Sequence, residues 1–252
     1  MIEIKGVSKA YNDRLVVDDV HLTIPAQGIT SIIGPNGAGK STLLTMASRL
    51  TPMDKGEISV GGLDILKTPS DELAKRLSIL RQENVLTSRL TVRELVTFGR
   101  YPYSKGRPTL EDRQFVDSAI RYLGLEDLQN RFLDQLSGGQ RQRAFVAMVI
   151  CQDTDYVLLD EPLNNLDMNH SVSMMKQLRR AADELGKTIV IVVHDINFAS
   201  CYSDTIVAMR DGKLIAKGSP SEIIETDCLK AIYDMDINVR EINGNRIAIY
   251  YS

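Results

Sequence analysis

The run Gly34, Pro35, Asn36, Gly37, Ala38, Gly39, Lys40 and Ser41 matches the phosphate-loop pattern G-x-x-x-x-G-K-[ST] in full, and Thr42 follows it. Glycines let consecutive backbone N–H groups turn inward on an anion, and the start of the following helix adds positive potential. The Lys40 ammonium can reach the outer phosphates of a nucleoside triphosphate, and the Ser41 hydroxyl can bind Mg²⁺. Alone, this loop implies only that such a triphosphate is bound. A second element is needed to hold the metal. The apolar stretch from Tyr156 ends in Asp160 and Glu161. Asp160, at the strand end, can hold Mg²⁺ through water, and Glu161 would face the γ-phosphate and polarise an attacking water. Away from a phosphate loop, the same pair would read as a solvated turn before Pro162.

Leu136, Ser137, Gly138, Gly139 and Gln140 form a second glycine-rich helix start. Ser-x-x-Gln is a capping box, which by itself needs no glycine. Two helical glycines in a first turn cost roughly 1 kcal/mol each. Their use is to bring backbone N–H groups and the Ser137 hydroxyl close to a phosphate. The capping and phosphate readings are compatible, and a chain with two such starts needs a partner for the second.

The elements that must position these groups alternate in type. Ile2, Ile4 and Val7, then His21 to Ile24, then Ile29 to Ile33, read as strands, as does Gly56 to Val60 before Gly61-Gly62. Leu43, Leu44, Ala47 and Leu50 give the helix that leaves the phosphate loop. Thr91 with Glu94, and Thr109 with Asp112, are capping boxes that open helices. Tyr101 to Pro108 reads as a loop between them. Arg141 to Cys151 is a further helical run. Val157 to Leu159 and Thr188 to Val193 read as buried strands, with Val172, Met175, Leu178, Ala182 and Leu185 on one face of the helix between. Asp211-Gly212 and Asn243-Gly244 signal hairpins, and Ser219 to Glu222 is a capping box with proline at the first helical position. Strands, then helices, then α/β again imply an all-helical insertion in an α/β domain.

The chain has 252 residues, 43% hydrophobic and 25% charged, with a formal net charge of -3. That suits a globular domain and excludes disorder, collagen-like structure and a strongly basic nucleic-acid footprint. No apolar run approaches the roughly 20 residues needed to cross a bilayer, and Met1 to Lys5 has no signal-peptide core. Cys151, Cys201 and Cys228 lack metal-ligand spacing and read as core or near-core residues of a reducing compartment.

With these motifs in place, the chain resembles the ATP-binding cassette (ABC) ATPases over almost its whole length. The order is phosphate loop at Gly34, Gln82 in a Q-loop, signature at Leu136 to Gln140, Asp160-Glu161, Asp167 in a D-loop, and His194. The resemblance implies a single P-loop NTPase domain of ABC type over 1–252. Its mixed-sheet core spans 1–83 and 152–218, with an antiparallel β part. The helical insert spans 84–151, and a short C-terminal helix and hairpin span 219–252. It implies ATP and Mg²⁺ as ligands, with Ser41, Gln82 and Asp160 at the metal. Tyr11 matches the residue that stacks on adenine. Glu161 is the base, His194 contacts the γ-phosphate and orients Glu161, and Gln82 senses the metal and the attacking water. Ser137, Gly138, Gly139 and Gln140 of one copy close on the ATP held by the other, with Asp167 between, so two copies sandwich two ATP molecules. Asn164 to Asp167 departs from the commoner Ser-x-Leu-Asp. His21 and His170 have no matching role and read as structural or exposed.

Leu90 to Pro102, Leu163 to Met168 and Val193 to Phe198 are similar to importer subunits of the iron–siderophore, haem and cobalamin subgroup, and most to those for ferric catecholate siderophores. This implies two integral-membrane permease partners, an indirect extracytoplasmic binding protein, no nucleic acid, and a peripheral place on the cytoplasmic face of the cell membrane. The short final segment implies no extended regulatory domain. The alternatives are a soluble ABC ATPase acting on DNA or ribosomes, and a phosphate-loop kinase or GTPase, against which the signature stands.

Overall fold

The computed structural model describes residues 1–82, 84, 88–164 and 166–251. Asn165 of the D-loop segment and the boundary residue Glu83 lie outside them. Alternating apolar residues build β1 (Ile2–Tyr11) and β2 (Arg14–Ile24), which pair antiparallel. Asn12 and Asp13 both have positive φ, +45° and +64°, the two-residue turn that matches strand twist. After β3 (Gly28–Ile33) and α1 (Lys40–Ala47) come β4 (Lys55–Val60) and β5 (Leu63–Asp64). These complete a four-stranded antiparallel sheet in the order β2-β1-β4-β5. α1 stops at Ala47, so Leu50 lies beyond the helix and is exposed. The sequence period ran one turn further than the helix does.

The short α2 (Ser70–Leu73) and β6 (Leu77–Leu80) precede the helical section: α3 (Val92–Phe98), α4 (Tyr101–Ser104), α5 (Leu110–Tyr122) and α6 (Gly138–Cys151). The capping boxes close as expected. Thr91 N donates to Glu94 Oε2 at 2.8 Å and Glu94 N to Thr91 Oγ1 at 3.2 Å; Thr109 N donates to Asp112 Oδ2 at 2.9 Å. Each is worth about 1 kcal/mol. The expected loop at Tyr101 to Pro108 is partly helical instead. Pro102 sits in the first turn of α4, where its missing N–H costs nothing.

The chain then returns to α/β with β7 (Tyr156–Asp160), α7 (Met168–Leu185), β8 (Thr188–Val192), α8 (Ile196–Tyr202), β9 (Thr205–Arg210) and β10 (Lys213–Gly218). α9 (Pro220–Ile223), α10 (Thr226–Tyr233), β11 (Asn238–Ile242) and β12 (Asn245–Ile249) end it. The buried stripe of α7 is Ser171, Met174, Met175, Leu178, Ala181 and Ala182. Val172 is only half-buried and Leu185 is exposed, so that stripe is turned slightly from the expected one.

The second sheet runs β10-β9-β3-β8-β7-β6, parallel except for β10. Both of its faces are buried, which is why its strands are continuous apolar runs. Ile189, Ile191, Val157 and Leu159 face one core with the helices; Val190, Val192 and Leu158 face a second core with the antiparallel sheet. α1 packs into that second core through Leu43, Leu44, Met46 and Ala47, between the two sheets. Cys151 is buried and Cys228 half-buried, but Cys201 is exposed on α8, contrary to its expected placement. Among the described residues no helix is long and apolar enough to cross a membrane.

Candidate active site

The side chains expected to hold phosphate and metal and to support hydrolysis sit at or just beyond the C-terminal ends of parallel strands. The phosphate loop leaves β3, Gln82 follows β6, Asp160 and Glu161 end β7, and His194 follows β8. Open α/β sheets bind ligands at this edge, because the loops there and the helix starts converge on one crevice. Backbone crowding selects two of the loop glycines. Gly34 has φ +143°, and a Cβ would lie 2.0 Å from Met209 O. Gly39 has φ +93°, and a Cβ would lie 2.4 Å from Val16 O.

The crevice is a cleft of about 350 Å³. Asn36, Gly37, Ala38, Gly39, Lys40, Ser41 and Thr42 line it, with Gln82, Glu161 and His194 opposite. Val16, which the sequence did not single out, also lines it. Lys40 Nζ donates to Gly34 O at 2.8 Å and to Pro35 O at 2.9 Å, leaving one of its three donors. Burial lowers the Lys40 pKa, against the pull of Glu161 and Asp160. Ser41 Oγ donates to Asp160 Oδ1 at 2.8 Å, tying the loop to β7. Burial raises the Asp160 pKa; the Ser41 bond, Lys40 and His194 oppose this and Glu161 adds to it.

Glu161 is the best-held side chain of the cleft. Its side chain is only 8% exposed. Oε1 lies 2.7 Å from His194 Nε2. Oε2 accepts from Gln82 Nε2 at 2.6 Å and from Asn164 Nδ2 at 2.5 Å. Its backbone has φ +50° and is pinned by a 3.2 Å bond from its N–H to Val192 O. A left-handed glutamate costs of order 1–3 kcal/mol and persists where its surroundings dictate it, as they do here. The sequence marks Asn164 as a departure from the commoner D-loop and carries no signal for this contact with Glu161.

The other expected site residues lie elsewhere. Tyr11 ends β1 and is 48% exposed, with the Lys9 ammonium 5.4 Å from its ring centroid; it does not line the cleft. Ser137 caps α6: its N–H donates to Gln140 Oε1 at 3.1 Å, and Gln140 N donates to Ser137 Oγ at 3.3 Å. Ser137 and Gly138 are exposed and Gly139 is buried. None of the four signature residues lines the cleft of its own chain. A Cβ on Gly139 would lie 3.3 Å from Leu166 Cδ2, so the signature abuts the D-loop segment. Asp167 caps α7, accepting at 2.8 Å from His170 N and lying 2.8 Å from His170 Nδ1. These contacts hold the Asp167 carboxyl below its usual pKa. His170 is therefore structural, and His21 is exposed beside Asp19.

Residues 17–164 match the ABC transporter family. The chain belongs to this family. It is 57% identical over 252 residues to the petrobactin import ATP-binding protein YclP of Bacillus subtilis (strain 168), covering 100% of both. It is 54% identical to the petrobactin import ATP-binding protein FatE of Bacillus anthracis, over 99% of this chain and 100% of that protein. Its fold is similar to the ATP-binding cassette MJ0796, solved as a dimer in a post-hydrolysis state with ADP and Pi. There the TM-score is 0.78 at 29% identity, over 87% of this chain and 99% of that one. An ABC cassette accounts for both sheets, the helical section and the cleft together.

Proposed function

We propose that this chain is the ATP-hydrolysing subunit of a bacterial ABC importer for iron–siderophore complexes, and that the cleft at Lys40 and Glu161 is its catalytic half-site. The observation that carries the reading is the Glu161 carboxylate, held by His194, Gln82 and Asn164 across the cleft from the phosphate loop. The adenine stacks on Tyr11. The loop from Gly34 to Thr42 holds the phosphates through its backbone N–H groups from Asn36 onward and the spare Lys40 donor. Glu161 accepts the proton of the attacking water, and His194 and Gln82 hold Glu161 in place while it does so.

Ser41 Oγ, the Asp160 carboxylate and the Gln82 amide oxygen are hard oxygen donors that suit Mg²⁺. A buried carboxylate whose pKa burial raises is a place where a cation is favoured. When bound, Mg²⁺ neutralises charge on the outer phosphates.

Ser137, Gly138, Gly139 and Gln140 do not line the cleft of their own chain, which supports closure on the ATP of a second copy, with Asp167 between the two. The permease pair docks on the helical section. There Leu90, Thr97, Phe98 and Tyr101 line a groove of about 300 Å³ in which Phe98 and Tyr101 are exposed. Such a subunit is peripheral to the cytoplasmic face of the membrane. The iron–siderophore cargo rests on the petrobactin importers named above. Uptake of labelled ferric siderophores in a strain lacking this chain tests it: uptake of at least one is lost, and if none is affected the cargo assignment fails.

A further inference from the structure

The C-terminal part of the chain takes no chemical step in this reading, yet it backs the cleft at two points. β12 is held on α8, the helix that begins two residues after His194. Ala248 N donates to Asn197 Oδ1 at 2.8 Å, Asn197 Nδ2 to Ala248 O at 3.3 Å, and Ser200 Oγ to Arg246 O at 2.5 Å. At the second point α10 lies along β9, where Arg210 Nη1 donates to Ala231 O at 2.8 Å. The same strand presents its Met209 carbonyl to Gly34. In that corner the Tyr233 hydroxyl is buried beside the Gly34 backbone N–H. It makes no hydrogen bond of full geometry among the described residues.

A buried hydroxyl without a partner costs stability, and phenylalanine would fill the same space without that cost. A tyrosine here therefore calls for a use in another state of the loop. Gly34 is the point where such a use has leverage: its carbonyl already accepts from Lys40 Nζ, so any shift of Gly34 moves the lysine that faces the phosphates.

We propose that Tyr233 is a positioning residue for the phosphate loop, its hydroxyl completing a hydrogen bond with the Gly34 N–H as the loop tightens on a bound triphosphate. The inference rests on the reading of the cleft as an ATP site. It joins the C-terminal helix to nucleotide affinity through one backbone amide. The phenol, which burial keeps well above its usual pKa, stays protonated throughout the neutral range and can accept from that amide at any working pH.

The test is Tyr233→Phe in the full chain, beside Lys40→Ala. Melting temperature is measured without nucleotide and with saturating MgATP, and ATP affinity, KM and kcat are measured for each. Without nucleotide, Tyr233→Phe melts at or above the wild-type temperature, because an unpaired hydroxyl is gone. The increment added by MgATP shrinks, and ATP affinity falls about two- to tenfold, the range of one hydrogen bond, with KM affected more than kcat. An unchanged MgATP increment overturns the proposal, whatever the nucleotide-free melting temperature. Lys40→Ala separates the two failures. If it binds ATP as wild type does, the ATP-site reading has failed; if it loses ATP while Tyr233→Phe keeps it, only the role of Tyr233 has.

Discussion

Glu161→Gln removes the negative charge at the centre of the cleft while keeping the shape of the side chain. The carboxylate makes three contacts: Gln82 at 2.6 Å and Asn164 at 2.5 Å on one oxygen, His194 at 2.7 Å on the other. A glutamine oxygen at the Oε2 position still accepts from both amides. Its NH₂ then meets His194 Nε2, which accepts once the ring proton moves to Nδ1. All three contacts survive, so stability changes by no more than about 1 kcal/mol. What is lost is basicity. Loss of a general base costs roughly a hundred- to ten-thousand-fold in rate, or about 3 to 5.5 kcal/mol in the barrier. ATP affinity holds, because no phosphate-loop contact runs through Glu161 and one less negative charge faces the γ-phosphate. Single-turnover release of labelled γ-phosphate measures the rate, equilibrium binding the affinity, and sedimentation with MgATP the dimer that failure to hydrolyse should accumulate. Turnover within about threefold of wild type would remove Glu161 from the base role. Parallel loss of ATP binding would show that the variant disturbs the whole cleft, against the contact argument.

The remaining predictions concern the walls of the site. Gly34→Ala places a methyl on the Met209 carbonyl at a backbone angle open to glycine; ATP binding measured by equilibrium dialysis should be lost, and normal binding would mean the loop can move aside. Arg100→Ala strips the buried Asp112 of its guanidinium partner at 2.9 Å and removes the bond to Cys151 O at 3.1 Å. A charge left unpaired in such a place costs about 3–5 kcal/mol, and a urea unfolding curve shifted by less than 1 kcal/mol would contradict this. Asp160 holds its proton more tightly folded than unfolded. Its contribution to stability is therefore intact below the unfolded value and drains away as pH rises through the higher folded one. Asp160→Asn should consequently melt at a higher temperature than wild type at pH 7 without nucleotide, with the difference vanishing near pH 3, and it should lose Mg²⁺-dependent hydrolysis. A lower melting temperature at pH 7 would count against the burial argument.

Much of the fold was legible because the signals are short-range. Capping boxes at Thr91, Thr109 and Ser219 join a residue to one three positions on, and hairpin turns at Asp211-Gly212 and Asn243-Gly244 depend on two φ angles. Periodicity carried the buried strands but overshot at Leu50 and tilted the stripe of α7, because a 3.6-residue period does not say where a helix stops or which neighbour covers it. Tyr101 to Ser104 differs from the expected loop because proline marks a loop and a first helical turn alike. Cys201 is exposed because apolar character alone does not decide burial.

The amino-acid sequence by itself determined the phosphate loop, the carboxylate pair and the signature, since each is a contiguous run whose backbone chemistry is complete within one turn. It also determined that strands alternate with helices around them. Only the tertiary structure decided which of these groups meet. Gln82 reaches Glu161 because β6 lies beside β7, and Asn164 reaches it because Glu161 turns the chain back with a positive φ. Tyr233 comes to Gly34 across about two hundred residues because α10 lies against β9. The signature, by contrast, stays outside its own cleft, since α6 starts against the D-loop segment. Sheet order and helix docking are long-range packing outcomes, set by how two cores fill around one twisted sheet, and no local pattern encodes them.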